Sequence, residues 1–113
     1  MRYMLLLHQD DAAMEKVSQK DLWAEWGAFN EALAKAGING GERLEPSSKA
    51  TLVKSGDNGS ILDGPYADTK EQFAGYFFVD VDTLEEAIAW AQRCPASRYG
   101  TVEVRPVHVS SWQ

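Results

Sequence analysis

The chain is 113 residues long, with 11 Lys or Arg against 17 Asp or Glu, a net charge of −6 at pH 7. That length fits one domain, able to bury roughly two thirds of its unfolded surface. The acidic balance argues against direct nucleic-acid binding, which needs a basic face. One cysteine, Cys94, excludes an internal disulfide and a cysteine-built zinc site and points to a reducing, cytoplasmic setting.

The opening MRYMLLLHQDD carries an apolar run, Met4 to Leu7, too short for a signal segment or a membrane span. It reads as a buried strand over residues 2–8. Tyr3, Leu5 and Leu7 face one way; Met4, Leu6 and His8 face the other. Ser18 then opens a helix, with Asp21 placing negative charge in its first turn. Leu22, Trp26, Phe29, Leu33 and Ala36 recur at intervals of three and four, on one helical face. Gly37 supplies the stop, because glycine takes the left-handed conformation that ends helices. Gly27, inside the helix, suggests a close backbone contact there.

Residues 38–45 lead into a strand that must end by Pro46. Segments 50–54 and 60–63 flank Gly56-Asp57-Asn58-Gly59, a hairpin signal, since Asn-Gly favours the positive φ of tight turns. The polar stretch DGPYADTKEQ, residues 63–72, is long for an idle connection. Residues 73–81 alternate as a strand: Phe73, Gly75, Phe77, Val79 and Val81 on one face, Tyr76 and Phe78 on the other. Both faces are apolar, so both should be covered. Asp82 caps a second helix with Glu85 as its capping-box partner. Leu84, Ala87, Ile88 and Ala91 form its stripe, and Pro95 ends it. Gly100 begins a last strand over residues 101–107.

The order strand, helix, strands, strand, helix, strand implies an α+β fold of the ferredoxin-like, split β-α-β type, with a largely antiparallel sheet and both helices on one face. The other sheet face is then bare. Its apolar residues in 73–81 call for a cover, and a second copy of the same sheet in a two-fold dimer is the economical one.

At DGPYADTKEQ the sequence resembles the YCII-related family, the branch with an Asp-Gly-Pro-Phe motif, here with Tyr66 in the place of phenylalanine. GYFFVDVDTLEEAIAWAQRCP, the closing VEVRPV and the early MRYMLLL are similar to the same family. The resemblance spans nearly the whole chain and implies a ferredoxin-like fold of the dimeric α/β barrel type. Some relatives are similar to enzymes that use a His–Asp pair in the dimer cleft; others lie beside sigma-factor-like regulators. Those enzymes tend to carry the histidine on the first helix, where this chain has Trp23 and Trp26. Only Asp63 carries over, as the aspartate of the motif.

Asp63 is thus the first candidate for acid/base work. Gly64 would allow close backbone approach and Pro65 would fix the chain direction, with Tyr66 beside them. The competing reading is an Asx turn, the aspartate bonding its own backbone. His8 is a strand-end imidazole that could shuttle protons beside Asp63 or simply be hydrogen-bonded in place. Lys70 could bind an anionic substrate or belong to a solvated loop. Glu103 and Arg105 share one strand face; Arg105 could hold a carboxylate or phosphate, or pair with Glu103 or with an acidic residue across the interface. His108 is a weaker candidate, near the C-terminus. Of the four tryptophans, Trp23, Trp26 and Trp90 read as helix packing, and Cys94 as a buried inert thiol.

The histidines and carboxylates lack metal-ligand spacing, and the chain lacks a serine elbow, a phosphate-cradling glycine loop and a dinucleotide fingerprint. A cofactor-independent enzyme acting on a small molecule in the dimer cleft is the first functional expectation. A non-catalytic metabolite-binding or regulatory module, docking a transcription component as a protein partner, is the second. Neither reading involves a membrane.

Overall fold

The computed structural model describes residues 1–57, 59–67 and 69–109. Its main sheet has four strands, all antiparallel, in the order β2-β5-β1-β6. Their ranges are β1 Arg2–Gln9, β2 Glu42–Arg43, β5 Gln72–Asp80 and β6 Gly100–Pro106. Helices α2, Gln19–Lys35, and α3, Leu84–Arg93, make the crossovers. The arrangement is consistent with the ferredoxin-like class.

The core lies between the sheet and these helices. Tyr3, Leu5 and Leu7 of β1 meet Phe77 and Val79 of β5 and Phe29 and Leu33 of α2, with Ala87, Ala91, Cys94 and Ala96 beneath. Phe29 touches Phe77, Trp26 and Trp90 edge-on, at centroid distances of 5.7, 5.9 and 6.2 Å, the geometry aromatic quadrupoles favour.

The helix ends follow local chemistry. Ser18 Oγ accepts from the Asp21 N–H at 3.4 Å. At the other end Gly37 takes φ 74°, its N–H donates to the Ala34 carbonyl, and the Ile38 N–H donates to Leu33. Those two bonds make a Schellman stop. In α3 the cap is Thr83, not Asp82: Thr83 Oγ1 accepts from the Glu86 N–H at 3.2 Å, and Glu86 accepts from the Asp82 N–H in return. A hydroxyl and a carboxylate three residues apart compete well with the Asp82–Glu85 spacing.

Three packing expectations are corrected. The buried stripe of α3 is Ala87 and Ala91, continued by Cys94 at its C-terminal cap and flanked by the half-buried Trp90; Leu84 and Ile88 are exposed. Trp23 is 73 % exposed and packs on nothing in the core. Gly27 faces open space, so no close contact explains it. Two short helices also escape the periodicity: α1, Asp11–Met14, capped by Asp10, and α4, Ala96–Tyr99, after Pro95. Each is a single turn, too short to show a repeat.

The hairpin signal is met by β3, Thr51–Lys54, and β4, Ser60–Asp63, which form a separate two-stranded sheet. Gly56 takes φ 96° and its carbonyl accepts from the Gly59 N–H at 3.0 Å. The expected role of Asn58 in that turn lies outside the described residues. A 3-10 turn, Ser47–Lys49, carries the chain from β2 into this arm. The molecule is a slab with principal extents of 49 × 45 × 18 Å, so the arm runs within the slab and does not rise out of it.

Candidate functional site

Among the described residues, one face of the main sheet carries no helix. Strand alternation puts Met4, Leu6 and His8 of β1 there, with Tyr76 and Phe78 of β5 and Thr101, Glu103 and Arg105 of β6. Phe73 joins them against the alternation. The pairing runs Leu7↔Gly75 and then His8↔Phe73, so Ala74 is an extra residue and β5 bulges. A bulge shifts the side-chain parity beyond it. Phe73 therefore leaves the core face on which strict alternation placed it and stands beside His8, ring centroids 5.8 Å apart.

From Phe73 an aromatic row runs up β5. Phe73 and Tyr76 are within 14° of parallel at 6.4 Å, and Tyr76 meets Phe78 at 6.0 Å. The Arg2 guanidinium caps the row, 4.1 Å from the centre of Phe78. Such a contact is worth about 0.5–1 kcal/mol at an exposed site.

At the His8 end the polar groups converge. His8 Nε2 lies 3.0 Å from Glu103 Oε1, and Arg105 Nε lies 3.5 Å from the other oxygen, Glu103 Oε2. A carboxylate only accepts, so the proton of a neutral His8 sits on Nε2 and Nδ1 keeps a lone pair. Among the described residues Nδ1 has no hydrogen-bond partner, and neither do the terminal nitrogens of Arg105. Thr101, opposite His8 in the ladder, donates to Glu71 Oε1 at 2.8 Å. That bond ties the loop 64–71 to the strand carrying Glu103. The Gln72 amide holds the same loop through bonds of 2.7 Å to the Ala67 and Thr69 carbonyls. Arg43, Leu44, Ser47, Gln72 and Phe73 line a hollow of about 70 Å³ at this end of the sheet. A wider hollow of about 530 Å³ lies between α2 and α3, but its charges are spent: Lys35 on Glu31, Arg93 on the face of Trp90.

The expected site residues thus separate into two places. His8 and Arg105 come together, joined by Glu103, which the sequence pattern suggested only as the partner of Arg105. His8 and Glu103 are 95 residues apart and meet only across the sheet, so no local spacing announces them. Asp63 stands elsewhere, exposed at the end of β4 in the arm, with no hydrogen bond or ion pair to His8 among the described residues. It does not close an Asx turn either. Gly64 takes φ 109°, and its N–H continues the β3–β4 ladder by donating to the Ala50 carbonyl at 2.7 Å. Pro65 is half-buried beside it, and Tyr66 is 88 % exposed. Lys70, itself exposed, reaches the half-buried Asp10 at 3.9 Å, a long contact of little energetic weight. His108 is exposed and takes no part in the cluster.

Two further ionisable groups are tuned away from this face. Cys94 is sealed in the core, and burial pushes its thiol from 9.0 to about 11. Tyr99 donates to Glu25 Oε2 at 2.8 Å, and that bond holds its phenol above its ordinary range. Among the described residues no three His, Cys, Asp or Glu side chains gather as metal ligands would, and no helix is long and apolar enough to cross a membrane.

Residues 1–111 match the YCII-related domain, and the chain belongs to that family. It is similar to an uncharacterised protein of Rhizobium meliloti (strain 1021), 32 % identical over 114 residues that cover 95 % of this chain and 92 % of the relative.

Proposed function

We propose that the chain is a small-molecule enzyme of the Asp-Gly-Pro-Phe-type branch, working as a dimer with its bare sheet faces turned inward in a dimeric α/β barrel. His8 is its proton-transfer group. The observation that carries this reading is the His8–Glu103 contact at 3.0 Å on an apolar face without a helix. A carboxylate that fixes the imidazole tautomer is the pairing general bases use. In this arrangement Nδ1 takes a proton from a bound substrate while Glu103 holds Nε2. The terminal nitrogens of Arg105 receive an anionic substituent, and Phe73 and Tyr76 wall the ligand with flat apolar surface. The role first assigned to Asp63, acid or base, passes within one chain to His8.

The test is native mass spectrometry of protein taken from cells without extended dialysis, followed by assay of any retained compound. The expected result is a retained anionic organic molecule that the protein converts, with H8Q lowering turnover at least ~100-fold and leaving binding intact. Retention of a compound that is never converted, by the parent and H8Q alike, would replace this reading with that of a metabolite-sensing module in transcriptional regulation.

A further inference from the structure

The arm formed by β3 and β4 is out of keeping with the rest of the molecule. Two four-residue strands in isolation are marginal in water. They form a sheet of their own and never join the main one. Both faces of the arm are apolar. Leu52 pairs with Leu62 on one; Val53 pairs with Ile61 on the other. The second face is the barer, with Val53 65 % and Ile61 73 % exposed. Asp63, paired with Thr51, lies on that same face, two residues beyond Ile61. Whatever covers Val53 and Ile61 therefore meets the Asp63 carboxylate within one strand repeat, about 7 Å.

The same chain presents a surface of matching character. On the bare sheet face Met4 and Leu6 lie side by side along β1, and Arg105 stands directly opposite Met4 with its terminal nitrogens free among the described residues. Two apolar side chains with one carboxylate at their end match two apolar side chains with one guanidinium at theirs. Within one chain the match is unused: no ion pair joins Asp63 to Arg105.

We infer that the arm is an exchange arm. Val53 and Ile61 of one copy cover Met4 and Leu6 of a second copy, and Asp63 pairs there with one terminal nitrogen of Arg105, leaving the other for the ligand. By symmetry the second copy returns the same contact. This rests on the sheet-face dimer proposed above but not on the chemistry of His8. It makes the cleft composite, since each substrate site would be walled by a segment of the other chain and carry that chain's motif aspartate. The motif turn, with Gly64 at φ 109° and bonded to Ala50, then sets the direction of the arm at its base.

Charge exchange tests the pairing. The variants D63R and R105D, each studied alone by sedimentation equilibrium, should dimerise at least ~10-fold more weakly than the parent, because each places like charges in contact. An equimolar mixture should regain parental affinity, because one D63R chain and one R105D chain form both contacts with opposite charges. I61D should weaken dimerisation with no rescue by either. A parental dimer that neither charge variant weakens overturns the arm contact and leaves the sheet-face dimer standing. Weakening without rescue in the mixture overturns the pairing of Asp63 with Arg105. A parent that sediments as a monomer overturns both this inference and the dimer beneath it.

Discussion

The two faces of the main sheet are made by the same strands and answer to different rules. On the helix side, Tyr3, Leu5, Leu7, Phe77 and Val79 are sealed in the core. On the bare side the same strands alternate to Met4, Leu6, His8, Tyr76 and Phe78, half-buried at best, and charge is admitted at Arg2, Glu103 and Arg105. The first face stabilises the monomer through area removed from water. The second is apolar enough to need a partner and polar enough to do chemistry, a mixture that stability alone would not select.

The largest effect that separates the faces is in the core. Leu5→Ala should cost about 3 kcal/mol and lower the midpoint of urea unfolding sharply, because Leu5 is fully enclosed. Leu6→Ala, one residue along on the open face, should cost about 1 kcal/mol or less in the monomer. Equal losses in the two variants would erase the distinction between the faces.

The next effect concerns pH and belongs to the sealed side alone. The folded Cys94 thiol keeps its proton to about 11, while the unfolded thiol releases it near 9.0. Between those values the unfolded chain binds fewer protons, so stability falls as pH rises, by about 2 kcal/mol across the window. Urea titrations on either side of the unfolded thiol's midpoint should show that fall in the parent and a smaller one in C94A. An identical slope in both would place the loss elsewhere.

The smallest effect is expected on the open side. Glu103→Ala should change monomer stability by less than about 1 kcal/mol, since the His8–Glu103 pair is partly exposed. It should nevertheless be visible in the ring-nitrogen chemical shifts of His8. The carboxylate holds the neutral imidazole's proton on Nε2, and without it the proton should divide between the two nitrogens. Unchanged shifts would mean that the contact does not hold in solution.

Much of the sheet-and-helix body was legible because it rests on short-range rules: alternation in β1, three-and-four spacing in α2, glycine at the stop of that helix. The faces of Glu103 and Arg105 followed from Val102 and Val104 packing inward. Illegible were the features that depend on distant strands. Alternation sent Phe73 to the core because nothing in residues 72–80 reveals that Ala74 is surplus; only the pairing with β1 does. The contact of His8 with Glu103 was hidden for the same reason. Asp63 was easy to notice, because its motif is local, and hard to place, because the arm lies outside the main sheet.

The bulge at Ala74 also makes the sheet sensitive to reading frame. Removing that one residue would straighten the strand and leave every pair where it is, Phe73 against His8 included; adding a second residue between Ala74 and Gly75 would exchange the sides of everything before it. With that insertion Phe73 would turn under the helices, and Ala74 would take its place next to the imidazole. Insertions in residues 64–71 carry no such penalty, because a loop has no parity to keep. Length variation among relatives of this chain should therefore gather in the loop and stop abruptly at Gln72, a boundary set by geometry and needing no contact with any ligand.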